Sequence, residues 1–197
     1  DEMSYSISSS KDSCYPGTTI LVNKLGLKSQ EALDQAEKIA VTLHSVEIEK
    51  EYNGLPLSFN YYCSIHKRLF GDIYEWAGSL RTVEIAKKGT KFCKPEDIFQ
   101  IGEAMFLRLH KNSYFKYLPR VKYIENISEF YNDLNLLHPF REGNGRTQRL
   151  FFSLLIRHSG HNIDFAAQDL DRLMLATIYA AQGIPTYLEA FFDSAII

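Results

Sequence analysis

Between His138 and Arg149 the chain reads HPFREGNGRTQR, followed by the apolar run LFFSLL. This stretch gathers a histidine, the carboxylate of Glu142, two glycines, an asparagine and the arginines Arg146 and Arg149. His138 has an ordinary pKa of about 6.5, which suits it to taking a proton from a hydroxyl near neutral pH. Gly143 and Gly145 permit left-handed backbone angles and close approach of a ligand to the main chain. A helix that starts beyond them leaves its first amides without intrahelical partners. Those amides and the positive end of the helix dipole attract anions. Arg146 lies in the first turn, where a cation is disfavoured unless an anion is present. Arg149, three residues on, shares its face. Two arginines at that end of a helix make a receptor for polyphosphate. Asn144 reads either as a donor to phosphate oxygens or as a brace for the loop. Glu142 offers a hard oxygen ligand beside the phosphates, which suits Mg²⁺. A base, a metal ligand and an anion cradle together fit nucleotidyl or phosphoryl transfer.

Helices must position these groups. Ser29 is a candidate N-cap for a long helix, SQEALDQAEKIAVTLHSVEIE, with Leu33, Ala36, Ile39, Ala40, Leu43 and Val46 on one stripe. Ser58 caps a second, FNYYCSIHKRLFGDIYEWA, ended by Gly78 as a left-handed stop. LRTVEIAKKGTKFC then alternates around a Lys88-Gly89 turn and is the one good hairpin signal. Pro95 opens a third helix, with Ile98, Ile101, Met105, Phe106 and Leu109 as its apolar face. Pro119 opens a fourth, which runs to His138, where Pro139 stops it. The next spans about Gly145 to His158 with Gly160 as its stop. Shorter helices over roughly 166–181 and 186–195 finish the chain. The fold class expected is all-α, a helical bundle with one small β-hairpin. Residues 1–28 read as an irregular segment and 29–197 as a single domain, with the hairpin at about 81–93 and the active loop at 138–149.

Composition narrows the function classes. The 197 residues are 45% hydrophobic and carry a net charge of −2, so neither nucleic acid nor an anionic membrane is drawn to the chain as a whole. No apolar run reaches the length of about 18 residues that a spanning helix needs. The first residues lack the charged-then-apolar pattern of an export signal. Cys14, Cys63 and Cys93 are odd in number and widely spaced. They suit a reducing, cytoplasmic compartment better than a disulfide framework or a metal knuckle. His66, Lys67 and Arg68 read as a solvated helix face, and Tyr61, Tyr62, Tyr74 and Trp76 as core and rim aromatics.

The stretch resembles the signature of the Fic family (filamentation induced by cyclic AMP), His-x-Phe-x-(Asp/Glu)-Gly-Asn-Gly-(Arg/Lys)-x-x-Arg. His138, Phe140, Glu142, Gly143, Asn144, Gly145, Arg146 and Arg149 match it without departure. The resemblance extends from about Tyr15 to Phe192. It implies a protein adenylyltransferase that moves AMP from ATP to a Ser, Thr or Tyr hydroxyl of a target protein and releases pyrophosphate. His138 would be the base and Phe140 would pack inward to hold the loop. Glu142 would bind Mg²⁺. Gly143, Asn144 and Gly145 would line the anion hole, Arg146 would contact the β-phosphate and Arg149 the γ-phosphate. The hairpin, with Thr82, Val83, Glu84, Ile85, Lys88 and Gly89, would be a flap whose exposed edge aligns a target segment by main-chain pairing.

Many relatives carry an inhibitory (Ser/Thr)-x-x-x-Glu-(Gly/Asn) motif whose glutamate engages the second arginine. In this chain Ser45 to Glu49 has the spacing, but Lys50 follows, and Thr186 to Glu189 is one residue short. The expectation is that a separate small antitoxin-like protein supplies that glutamate to Arg149, or that it comes from a segment outside this sequence. A toxin-like or regulatory role and a host-directed effector role share this chemistry, and the short single domain leans toward the former. Two other readings stay open. One is a transferase of this fold using another nucleotide or a phosphoryl donor, against which Gly145 argues. The other is a non-catalytic nucleotide-binding module, against which His138 and Glu142 argue.

Overall fold

In a computed structural model, residues 6–7, 13–54, 56–87 and 89–197 are described. The elements run β1 (Ser6–Ile7), α1 (Gln30–Glu51), α2 (Phe59–Phe70), β2 (Ile85–Lys87), β3 (Thr90–Lys91), α3 (Ile98–Lys111), α4 (Arg120–Leu137), α5 (Asn144–His158), α6 (Leu170–Ala181) and α7 (Thr186–Ala195). This is the expected helical bundle with a small sheet.

α5 is the central helix. Phe151, Phe152, Leu154, Leu155 and Ile156 are fully buried, and α1, α2 and α4 pack around it. Each such side chain contributes about 1.5–3 kcal/mol by leaving water. Aromatic rings make the seam between α2, α3, α5 and the active loop. Tyr62 lies 5.3 Å from Phe151, 5.5 Å from Phe140 and 5.8 Å from Phe106 between ring centroids. Gly102 takes the place given to Ile101 on the inner face of α3. A Cβ there would meet the Phe59 ring at 2.6 Å, while Ile101 is exposed.

Three local readings change. Of the α1 stripe, Leu33 and Ala40 are buried, but Ile39, Leu43 and Val46 are exposed, and the inner face carries Glu37 and Ile48. The helix is turned so that Glu37 faces the start of α5, where Arg146 lies. α2 ends at Phe70 rather than before Gly78. Residues 71–77 pass through turns that bring Tyr74 to Glu37 and Trp76 onto Tyr74 at 4.3 Å, positions a continued helix would carry away. The segment read as irregular contributes β1, which pairs antiparallel with β2 (Ser6 opposite Ala86, Ile7 opposite Ile85). The sheet order is β1-β2-β3. The Lys88 position of the hairpin turn lies outside the described residues.

Candidate active site

His138 closes α4 in the left-handed region, with φ 43° and ψ 60°. That conformation is uncommon for a residue with a Cβ. The bonds around it hold it there. Its N–H still completes the helix by donating to Leu134 O, while Arg81 Nε donates to His138 O at 2.7 Å and Arg81 N–H donates to Pro139 O at 2.8 Å. Arg81 is 4% exposed, and its remaining nitrogens reach Val83 O at 2.7 Å and Cys93 O at 2.5 Å. One guanidinium therefore fastens both ends of the hairpin to the loop that carries the histidine.

The ring of His138 is stacked on Phe92, 3.8 Å between centroids and 10° from parallel. Its Nδ1 lies 3.2 Å from Asn135 O, a carbonyl that can only accept, so Nδ1 carries the proton. Nε2 is buried and, among the described residues, has no hydrogen-bond partner. A neutral imidazole with Nε2 as its lone-pair nitrogen is a base awaiting a donor. Burial lowers its pKa to about 3, so it is neutral across the physiological range. Nearby is a cavity of about 290 Å³, lined among others by Phe92, His138, Gly145, Arg149, Met174 and Thr177.

Phe140 is fully buried, stacked at 3.8 Å on His66. His66 was read as part of a solvated face, and this is corrected: it is fully buried. Its Nδ1 accepts from Gly78 N–H at 2.8 Å, which leaves Nε2–H to donate to Glu142 O at 2.9 Å. Burial lowers its pKa to about 4, consistent with a neutral ring. Lys67 and Arg68 are exposed. Asn144 takes the second of its two roles: Oδ1 accepts from Phe140 N–H at 2.9 Å and Nδ2 donates to Phe140 O at 2.7 Å. Its side chain braces the loop through both its oxygen and one N–H of its amide.

Gly143 caps α5 with φ 79°, and α5 has no side-chain N-cap. A Cβ on Gly143 would meet the Phe70 ring at 2.5 Å, so glycine is required twice over. Glu142 Oε1 accepts from Gly143 N–H at 2.8 Å and from Arg146 Nη2 at 3.3 Å. Arg146 also pairs with the buried Glu37 and lies over the Phe70 ring at 4.8 Å. Arg149 lines the cavity, and among the described residues no carboxylate lies within ion-pair distance of it. Burial lowers its pKa from the usual arginine value.

Of the flap residues, Ile85 is buried, Val83 half-buried, and Thr82, Glu84 and Gly89 exposed. The outer edge of β2 is taken by β1. Sequence reasoning missed Arg81, Glu37 and the buried role of His66. Single charged or polar residues inside otherwise ordinary segments carry no spacing signal that could have marked them.

The Fic/DOC family model matches residues 56–156, which spans the hairpin, His138 and the N-terminal part of α5. The chain belongs to the Fic/DOC family. A probable protein adenylyltransferase Fic of Salmonella typhimurium is 34% identical over 184 residues, covering 92% of this chain and 90% of that protein. The probable protein adenylyltransferase Fic of Escherichia coli K12 is 33% identical with the same coverage of both. Among solved structures, BepC of Bartonella tribocorum, with AMPPNP bound, superposes with a TM-score of 0.86 at 28% identity, covering 94% of this chain and 96% of that one. A Fic domain of Bartonella quintana with ADP bound gives 0.87 at 27% identity, covering 94% of each. No helix among the described residues is long and apolar enough to cross a membrane.

Proposed function

We propose that this Fic-family chain binds ATP over the α5 N-terminus and transfers AMP to a target hydroxyl through His138. The chain is a protein adenylyltransferase, as its curated relatives are named. The observation that carries the mechanism is the buried, unpartnered Nε2 of His138 beside a cavity that Arg149 also lines. Nε2 takes the proton of a Ser, Thr or Tyr hydroxyl. The hydroxyl oxygen forms a bond to the α-phosphorus, and the bond from that phosphorus to the bridging oxygen breaks. Pyrophosphate leaves with the electron pair. The open amides of α5 and the guanidinium groups of Arg146 and Arg149 face the charge that accumulates on the phosphates.

The donor set fits Mg²⁺ held partly by the substrate. Among the described residues no group of three or more His, Cys, Asp or Glu could hold a metal alone, and Glu142 stands at the phosphate end of α5. One carboxylate completed by phosphate and water is a common Mg²⁺ shell. Glu142 would hold the ion, which when bound neutralises phosphate charge.

The target segment docks along the hairpin. With β1 on β2, the other edge of the sheet is that of β3, and Lys87, Thr90 and Phe92 of the hairpin line the His138 cavity. Arg149 awaits a carboxylate from another polypeptide, and a small antitoxin-like inhibitor in a bacterial cytoplasm fits that need. The test incubates the chain with Mg²⁺ and ATP labelled at the α- or γ-phosphate, with bacterial lysate as the source of targets, beside His138→Ala. Label from the α-position on protein, lost in the variant, supports the reading. Label from the γ-position alone replaces it with phosphoryl transfer, and no label from either leaves a nucleotide-binding module.

A further inference from the structure

Glu37 has no place in the family signature and lies about a hundred residues from it, yet the fold brings it to the active site. Its carboxylate is 5% exposed, on a helix whose other acidic groups reach solvent. Burying a carboxylate is costly unless both oxygens find strong partners. Here they do. Oε1 accepts from the Tyr74 hydroxyl at 2.5 Å and Oε2 from Arg146 Nη1. Although burial pulls the pKa of Arg146 down, the Glu37 and Glu142 carboxylates hold it above the ordinary arginine value.

Arg146 has two acidic partners, and they are not equivalent. Glu142 is its neighbour four residues back at 3.3 Å, is partly exposed, and is the carboxylate proposed for Mg²⁺. Once Glu142 turns to an ion, its hold on Arg146 weakens. Glu37 is buried, comes from a different helix and is fixed by Tyr74, so it stays. The Phe70 ring, 4.8 Å beneath, completes the clamp. An arginine on a flexible stem, at the helix end where a cation is disfavoured, would otherwise have to be ordered at each turnover.

We infer that Glu37 is a positioning residue for adenylyl transfer: it fixes the Arg146 guanidinium against the leaving pyrophosphate while Glu142 is engaged elsewhere. The inference rests on the adenylyltransferase reading above. Arg146 touches the phosphates and Glu37 acts only through it. The carboxylate therefore matters to the rate, where misplacement of a charged group by about 1 Å costs on the order of a hundredfold, and matters less to ground-state binding.

The test measures α-labelled AMP transfer to lysate proteins, ATP dissociation constants by calorimetry and thermal unfolding on wild type, Glu37→Gln, Arg146→Ala, the double variant and Tyr74→Phe. Glu37→Gln should lower kcat by about 10- to 100-fold with KM for ATP moved less than about threefold. In the Arg146→Ala background the same change should cost less than about twofold, because the group it positions is gone. Tyr74→Phe removes the group that fixes Glu37, so it should lower kcat in the same direction but less than Glu37→Gln does, with KM for ATP again little moved. Multiplicative losses in the double variant overturn the inference. So does a Tyr74→Phe rate as low as that of Glu37→Gln, or a faster, tighter-binding Glu37→Gln, which would make Glu37 a brake. If Glu37→Gln does not fold, Glu37→Asp, which keeps the charge on a shorter arm, must show the same split between kcat and KM, and its absence sinks the inference. A wild type that transfers no AMP defeats the adenylyltransferase reading itself, a different failure.

Discussion

Phe92 lies flat on His138, with ring centroids 3.8 Å apart and the planes 10° from parallel. Phe92 follows directly on β3, so the hairpin proposed to receive the target also covers one face of the base. In the proposed reaction, docking and proton transfer would thereby be joined through one stacked pair. The left-handed His138 backbone and the Asn135 carbonyl fix the ring, and among the described residues Nε2 has no hydrogen-bond partner.

The pH dependence should be unlike that of an ordinary histidine base. Burial lowers the pKa of His138 to about 3, so the base is already deprotonated throughout the neutral range. Transfer at saturating ATP should stay flat between about pH 6 and 8 instead of falling through the usual histidine pKa of about 6.5. A rate profile that halves near pH 6.5, and moves when His138 alone is replaced, contradicts this.

Stability should fall with acid for the same reason. His66 and His138 have folded pKa values of about 4 and about 3, both lowered mainly by burial. Between those values and about 6.5 the unfolded chain binds protons that the folded chain does not, so stability is complete above about pH 6.5 and is lost as pH drops. At pH 5 the loss should be about 2 kcal/mol per histidine. Urea unfolding at pH 7 and pH 5 measures the difference. A His66→Gln variant should show a smaller one.

Arg81→Lys should loosen the hairpin from the loop. Lysine offers one ammonium where the guanidinium reaches the carbonyls of His138, Val83 and Cys93. The cost expected is about 2 kcal/mol of stability, from buried carbonyls left without donors. Transfer to protein targets should drop further than ATP affinity, which calorimetry and labelling separate. Equal losses in both would place the arginine in the nucleotide site instead.

Gly143→Ala tests the cap of α5. The residue has φ 79°, and a Cβ would meet the buried Phe70 ring at 2.5 Å. Backbone strain and overpacking together should cost about 3 kcal/mol in unfolding free energy. A variant as stable as wild type would show that the ring can step aside.

Arg149→Ala should discriminate among nucleotides. If the guanidinium meets the γ-phosphate, ATP should bind about tenfold more weakly, or about 1.4 kcal/mol, with ADP affinity nearly unchanged. Calorimetry with each nucleotide gives the ratio. Equal weakening of both moves Arg149 to another phosphate.

The parts of the site legible in sequence were those packed into one loop. His138, Glu142, the two glycines and both arginines announce themselves because the helix start and the residues proposed as anion cradle and base lie within one short stretch of chain. Tyr62 and Tyr74 were readable as core aromatics, since large apolar rings seek burial almost wherever they lie. The inner face of α1 was not readable. Leu33, Ala40 and Ile48 share helical spacing with Glu37, just as Ile39, Leu43 and Val46 share it among themselves, and periodicity cannot say which face meets α5. A buried charge answers that question, and its partner lies over a hundred residues away. The end of α2 hid for a related reason. GDIYEWA is compatible with more helix, and the turns that replace it bring Tyr74 to Glu37, Ile73 O to the Lys24 amide and Gly78 N–H to His66. His66 and Arg81 act through main-chain carbonyls, which leave no mark on residue type.

The pairing of β1 with β2 sets a threshold for any partner that seeks that edge. A strand on the same chain meets its neighbour at an effective concentration that, for short tethers, is on the order of millimolar. A target segment present at micromolar levels starts about a thousandfold behind in competition for those main-chain groups. Targets taken from that side would be those whose own contacts, beyond the backbone, make up the difference. That edge would thus choose partners by what they carry besides a strand, even though main-chain pairing reads no side chains.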